Sequence, residues 1–545
     1  MTYQKVPQES APYNSPSQGQ PIPSGMQAGP GQFMPPPMVA APRPRTWRER
    51  WMHRFGMDVV AAPLGKGERT IPNWLTGKAI VFFFVAMLAC FVAFGYPMEF
   101  RDAFIASVSI FLFFYGGYTA SKSWEHKKEG AFLRNIFITG LTIRLIWVFY
   151  CYFIFNPDYW GTTHGNSADV EWYMPFGEAI AKWIKGENRI SFEELRAIWH
   201  SNIDDVGYPF WLAIVNILTG GESDVFVPFL IKAVASAYCS VCIYHVANRH
   251  FGEGVARMAA LFMAFNPNMI YWCGNMFKES EMMFLCCVCV DLIDKTFTSE
   301  KKLTFQSLLP GLLAGSLLFF FRASLAIVIF LAMFAHIIMA SNRVMSVGKK
   351  MFAGVLVAVT LLIGIGDSLQ FQMERMVNRV QSDSQKQNME WRSTRKDGGN
   401  SFAKYAGAAV FAPLIFTIPF PSFNVALESQ VLQRQLSGGS YIKNIMSFFV
   451  ILVILMMLIS GEWRGHVFII AYTCGYLASL VLSEFAQSGR FHMPVIPMLM
   501  LFAAYGIQIA KTNTRVRRWF PIVLVLEVFF CLAWNWFKLK GRGMI

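Results

Sequence analysis

The chain is 545 residues long, 54% hydrophobic, 16% aromatic and only 15% charged, with a formal net charge of +14. Soluble domains carry about 25% charged residues, so this balance and a mean hydropathy of +0.38 exclude an ordinary soluble protein. The positive balance would suit nucleic acid, but the basic residues sit in short clusters between apolar runs, the pattern that sets membrane topology. An integral membrane protein with no nucleic-acid partner is expected.

Residues 1–45 hold eleven of the 26 prolines, with Gly, Ser and Gln between them. That composition cannot bury enough apolar surface to order itself and predicts a disordered cytoplasmic tail. The opening MTYQKVPQES has no apolar core, so no cleavable signal is expected. Residues 46–77 form a basic interfacial segment, begun by Arg43–Arg54 and suited to the anionic inner leaflet.

A spanning helix needs about 20 apolar residues. Such runs lie near 78–97, 102–120, 136–155, 225–247, 254–271, 279–294, 305–321, 323–340, 351–368, 443–460, 467–484, 492–510 and 520–537. The expected fold is an all-α polytopic membrane protein with about 13 transmembrane helices (12–14). Residues 78–135 make a first hairpin, 136–368 a transmembrane core and 443–545 the C-terminal helices. With the tail inside, the basic loops Lys122–Arg134, Arg249–Arg257, Lys295–Lys302, Arg343–Lys350 and Lys511–Arg518 all fall on the cytoplasmic side. Two long segments then fall outside. Segment 156–224 contains amphipathic juxtamembrane pieces, Tyr173–Lys185 and Tyr208–Leu218. Segment 369–442 contains the apolar run Ala406–Phe420, broken by Pro413 and Pro419, which either re-enters the membrane or spans it and inverts the C-terminal helices. The cysteines, including Cys286, Cys287 and Cys289, lie in apolar runs as small hydrophobes, with no metal-ligand spacing.

Charge in an apolar bundle is costly, so charged positions at span ends are the first functional candidates. Asp169 in GNSADVEWY comes after an apolar segment, and Tyr173 shares its face if the piece is helical. Such an Asp suits a general base taking a proton from an acceptor hydroxyl. A solvated loop acid or a helix N-cap is the plainer reading. Glu171 joins Asp169 on a divalent metal (Mg or Mn) only if the chain there is extended. Next, Asn266-Pro267 ends one span, and Lys278, Glu279 and Glu281 open another, as a site or as an ordinary lysine–carboxylate pair. Arg322 interrupts LLFFFRASLAIVIF, and Arg490 and His492 open a later span. Guanidiniums match phosphate oxygens in two-pronged fashion. The basic load Arg375, Arg379, Arg392, Arg395, Lys396 and Lys404 sits in segment 369–442. Arg144 is mid-span and reads as structural, paired with a carboxylate or carbonyls. His245 and His336 read as core singletons. His164 and His200 share the loop with Asp169 without a ligand spacing.

Taken in order, these pieces form a series. It runs Asp169-x-x-x-Tyr173, Gly207-Tyr208-Pro209-Phe210, Ala247-Asn248-Arg249-His250-Phe251-Gly252, then Pro267 and Tyr271 leading to Glu279, Arg322, and Arg490-Phe491-His492-Met493-Pro494. Over about residues 136–510 the chain resembles the GT-C superfamily of membrane glycosyltransferases, particularly the branch of protein O-mannosyltransferases and lipid A aminoarabinose transferases. It departs in having two earlier spans and Asp-Val-Glu in place of a paired Asp-Glu.

The resemblance implies a GT-C-like fold and a sugar donor on polyprenyl phosphate at the outer leaflet. It implies inverting transfer to a hydroxyl of a protein, lipid A, glycan or wall polymer. Asp169 would be the base, with Glu279 or Glu281 positioning the acceptor. Arg322 or Arg490, with Lys278 and His492, would meet the departing phosphate. Tyr173, Tyr208 and Glu171 would position substrate. No cofactor is required, although a divalent ion on Asp169 and Glu171 stays open. A multi-pass protein of the bacterial cytoplasmic membrane, its site facing outside, is expected. The alternatives are an O-antigen-type polymerase or ligase, and a transporter or flippase, which would place charges near the membrane midplane.

Overall fold

The computed structural model describes residues 69–94, 100–155, 168–187, 206–220, 226–299, 304–339, 348, 437–482 and 490–541. The tail, the expected span 351–368, Ala406–Phe420, His164, His200 and the loop cluster Arg375–Lys404 lie outside the described residues. Every described element is helical. Helix α1 is Asn73–Phe94 and α2 starts at Phe100–Phe111, continuing through a π turn to Gly117–Ser123. Then come α3 (Glu129–Phe149), α4 (Ala168–Ile184), α5 (Gly207–Leu218), α6 (Phe226–Phe251), α7 (Glu253–Ala264) and the short α8 (Pro267–Tyr271). After these come α9 (Glu279–Thr298), α10 (Phe305–Phe319) and α11 (Ala323–Met339). The C-terminal set is α12 (Ser437–Ser460), α13 (Val467–Leu482), α14 (Ile496–Thr512) and α15 (Thr514–Gly541).

Among the described residues six helices are long and apolar enough to cross a membrane, so the 13 expected spans are not confirmed. The reason is length and charge. At about 1.5 Å per residue, α7 with its 12 residues and α10 with 15 fall short of a bilayer's apolar thickness. Helix α9 has 20 residues but carries acids at both ends. The expected span 254–271 is cut in two. Asn266 leaves helical geometry and caps α8 by accepting from the Asn268 N–H at 3.0 Å, and Pro267 sits at the first helical position, where its missing N–H costs nothing. Both amphipathic pieces form, as α4 and α5.

Helices α6 and α9 run parallel: Lys232 near the start of one meets Glu281 near the start of the other, and Arg249 meets Asp291 and Asp294 near their ends. Helix α7 returns along α6, packs on α14 and is buried from Gly254 to Ala264. The turn into α7 needs Gly252, whose φ of +81° most side chains avoid. Helix α14 packs on α7 and α12 and is 94% buried over its spanning window, so it forms the central staff of the bundle. The outer helices show the inverse pattern. Val81, Val85, Leu88 and Phe91 of α1, and Val525, Leu526 and Phe529 of α15, are exposed. Exposed apolar stripes on helices with a packed inner face are what lipid contact demands. The bundle therefore has two polar ends. One carries Glu279, Arg322 and Arg490, the other Arg249, His250 and Asp294.

Candidate functional site

At the first end the site begins on the juxtamembrane helices. Asp169 lies in the first turn of α4 and Tyr173 one turn later on the same face. Tyr173 is buried, its ring edge-on to Tyr208 at 5.0 Å between centroids. Tyr208 opens α5, and its position is set by the residue before it. The Gly207 N–H donates to the Phe320 carbonyl at 2.9 Å, and a Cβ there would meet the Phe321 ring at 2.8 Å. Only glycine lets α5 come this close to the α10–α11 turn. Across the Tyr208 ring lies the Lys232 ammonium, 4.8 Å from its centroid.

Lys232 leads to the acids of α9. It is fully buried, donates to the Asn275 carbonyl at 2.7 Å and lies 3.7 Å from Glu281 Oε2. Neither Glu281 oxygen has a hydrogen bond among the described residues, although the side chain is buried. Glu279, two residues earlier, is 0% exposed. Its Oε1 accepts from Arg490 Nε and lies 4.0 Å from Arg322 Nη2, while its Oε2 has no partner among the described residues. Residues more than 200 positions apart thus meet on one oxygen. The helix N-terminus also favours negative charge at these two positions.

The guanidiniums are fixed by aromatic walls. Arg490 lies 4.5 Å over the Phe277 ring and Arg322 4.5 Å over Phe491. Tyr476 OH is 3.5 Å from Arg322 Nη1 and itself donates to the Phe491 carbonyl at 3.0 Å. Arg322 therefore keeps donors in hand, since among the described residues its five N–H groups make one weak hydrogen bond, to Tyr476, and one long ion pair, to Glu279. Lys278 is buried and donates to the Phe321 carbonyl at 2.6 Å. His492 is buried against Lys443, Nδ1 to Nζ 3.2 Å. The side chains of Asp169 and Glu171 lie outside the described residues. Both positions fall within helix α4, however. The extended chain that would bring both to one metal is absent there. Among the described residues no group of three His, Cys, Asp or Glu could hold a metal ion.

Arg144 has the structural role expected of it, donating to Ser236 Oγ at 2.8 Å and to the Gly140 and Ala264 carbonyls at 2.9 Å. His336 stacks on Phe297 in the core. His245 does not fit the core reading: its side chain is 39% exposed and lies 3.6 Å from Asp291. One helical turn before Arg249, it faces the same acid. Sequence reasoning missed Lys232, Lys443 and Tyr476. The two lysines carried a signal, since each puts a charge inside an apolar run (FLIKAVAS and SYIKNIMSFF).

No curated protein and no solved structure matches the chain. The Alg9-like mannosyltransferase family matches residues 179–539, about two thirds of the chain. That range begins past Asp169 and Tyr173 but takes in Glu279, Glu281, Arg322 and Arg490 together with the C-terminal helices. The buried acids and guanidiniums thus lie within the matched region of a helical membrane bundle, and the chain belongs to the Alg9-like mannosyltransferase family, a family of glycosyltransferases with the GT-C fold.

Proposed function

We propose that this membrane glycosyltransferase, which uses a lipid-linked sugar donor, moves a sugar from polyprenyl phosphate to an acceptor hydroxyl on the outer face of the membrane. The family's name makes mannose the first sugar to test. The observation that carries the reading is the meeting of Glu279, Arg322 and Arg490 in one buried pocket at the end where Tyr208 brings in α4.

In this reading Asp169 takes the proton of the acceptor hydroxyl. The oxygen attacks the anomeric carbon as the bond from that carbon to the phosphate oxygen breaks, inverting the configuration. The departing phosphate carries the negative charge toward Arg322 and Arg490, with Lys278 next to Glu279 and His492 two residues after Arg490. Glu281, buried with unfilled acceptor capacity, positions the acceptor, and Glu279 holds the two guanidiniums in register. Tyr173 and Tyr208 set the height of the first helix above the pocket. A single preorganised cation at developing charge contributes about 3 kcal/mol. The helical course of the chain at Asp169 and Glu171 favours the version without a bridging divalent ion. The basic loops favour a cytoplasmic tail and an outward site, in a bacterial inner membrane.

The test is transfer of labelled mannose from synthetic polyprenyl phosphate mannose in membranes containing the chain. Product is expected with the native chain and none with Asp169→Asn at equal expression. Normal transfer by Asp169→Asn would remove the base assignment. Transfer from a nucleotide sugar but not from the lipid donor would remove the polyprenyl phosphate assignment. Retained activity in excess chelator supports the version without a metal, and its loss supports the Asp169–Glu171 ion.

A further inference from the structure

Among the buried cations at this end of the bundle, Lys443 stands apart. It lies in the second turn of α12, 4% exposed, and among the described residues its ammonium has one hydrogen-bond partner, His492 Nδ1 at 3.2 Å. No carboxylate of the described residues pairs with it. The other buried cations have anionic or carbonyl partners. Arg490 and Arg322 share Glu279, Lys232 faces Glu281 and two carbonyls, and Lys278 meets the Phe321 carbonyl. Beside Lys443 is Asn444, fully buried, with neither its amide nitrogen nor its oxygen partnered among the described residues.

A buried ammonium without a counter-charge is expensive and is kept where something else supplies the charge. Three ammonium donors, one of them facing the His492 imidazole, leave room for an anion with several oxygens. The position matters too. His492 belongs to the tight turn that carries Arg490, closed by the Met493 N–H on the Arg490 carbonyl at 3.2 Å. One turn therefore presents a guanidinium toward Glu279 and an imidazole toward Lys443.

We propose that Lys443, oriented by His492, binds a phosphate group, and that this is the phosphate of the lipid-linked donor. The phosphate identity comes from the unneutralised cation and its neighbours. That a lipid carries it rests on the reading under Proposed function. The two cations divide the labour: Lys443 holds the phosphate in the ground state, and Arg322 meets the charge that grows as the sugar leaves. Loss of Lys443 raises KM for the donor with little change in kcat, and loss of Arg322 lowers kcat.

The experiment uses the full chain in lipid nanodiscs, with thermal unfolding and tryptophan fluorescence as readouts. The probes are polyprenyl phosphate, the corresponding polyprenol and inorganic phosphate. Polyprenyl phosphate is expected to raise Tm of the native chain, and polyprenol to leave it unchanged. Lys443→Met is expected to match or exceed the native Tm without ligand and to bind polyprenyl phosphate at least tenfold more weakly. Lys443→Arg should keep most of the binding. Equal affinity of Lys443→Met and the native chain for polyprenyl phosphate overturns the proposal. So does a Lys443→Met chain that unfolds or loses Tm, because the lysine is then structural. Inorganic phosphate that stabilises the native chain but not Lys443→Met, with no response to polyprenyl phosphate, keeps the anion site. In that case the lipid donor reading falls.

Discussion

The two polar ends of this bundle hold similar residues, but their carboxylates differ: paired at one end, with unfilled oxygens at the other, although among the described residues Tyr244 OH and His336 Nδ1 also lack partners toward the first. At the end of Arg249, charges close on one another. Arg249 reaches Asp294 at 2.7 Å and Asp291 at 2.6 Å, and His250 Nε2 reaches Asp294 at 2.6 Å. Arg257 meets Glu253 at 2.7 Å, and Glu253 also takes Arg69. At the end of Glu279, buried polar atoms stand without partners among the described residues: Glu279 Oε2, both oxygens of Glu281, Asn268 Oδ1, Trp272 Nε1 and the whole Asn444 amide. Buried polar groups in native proteins are nearly all hydrogen-bonded, so a cluster of exceptions marks where a ligand completes the structure. One end clamps helices together. The other spends stability on a site.

That contrast breaks if the wrong end responds to mutation. Asp294→Ala carries the largest expected effect. It takes the carboxylate from His250 and leaves Arg249 with Asp291 alone, at a 1% exposed position, and breaking such a buried pair costs about 3–5 kcal/mol. Unfolding in detergent should shift by several degrees or more, while kcat per folded molecule stays native. A loss of kcat with native Tm would mean that this end also takes part in chemistry. Arg322→Ala should do the reverse. Removing a preorganised cation from a developing phosphate costs about 3 kcal/mol, a hundredfold or more in kcat. Its stability cost is small, because its nearest acid is 4.0 Å away and already holds Arg490. Unchanged kinetics would return Arg322 to a structural role.

The same contrast explains what the sequence could and could not reveal. Glu279, Arg322 and Arg490 are legible because each places a charge at the lip of an apolar run, where only pairing or a ligand makes it tolerable. Their convergence on one oxygen is not legible, because it depends on how α9, α14 and the α10–α11 turn pack. Lys232 and Lys443 obey the same rule. They escape notice because long apolar runs around them dominate a window average. His245 resembles a core residue in sequence since its partner, Asp291, lies on another helix. The GT-C superfamily is readable from motif order, while the Alg9-like branch comes from the matched range 179–539, much of it in the C-terminal half, where few motifs stand out. Helix type is easy to read and span number is not. The Asn266-Pro267 break is visible, but a hydropathy run through 254–271 hides what a cap and a proline do to it.

Two weaker effects sharpen the contrast. Gly207→Ala puts a methyl where the Phe321 ring and the Phe320 backbone already lie within 3.0 Å. Overpacking of this kind costs about 1–3 kcal/mol. Because α5 must move, Tyr208 and Tyr173 move with it, and the expected result is a severalfold loss of transfer with a modest fall in Tm. A fall in Tm alone would show that the tyrosine pair does not position α4.

The smallest effect belongs to the opposite end. His466, in the turn between α12 and α13, has its Nδ1 2.8 Å from His250 Nδ1. Burial first, and then the neighbouring His250, push its pKa down to about 3. The native state therefore refuses a proton that the unfolded chain takes up below about 6.5. Stability is fully present above that value and declines as pH falls toward 3, because the unfolded chain binds more protons over that interval. Tm should drop by a few degrees between pH 7 and about pH 5, and His466→Gln, which cannot take up that proton, should flatten the slope without altering transfer at pH 7. A mutant whose transfer changes while its pH slope stays native would place His466 with the catalytic end and erase the division between the two.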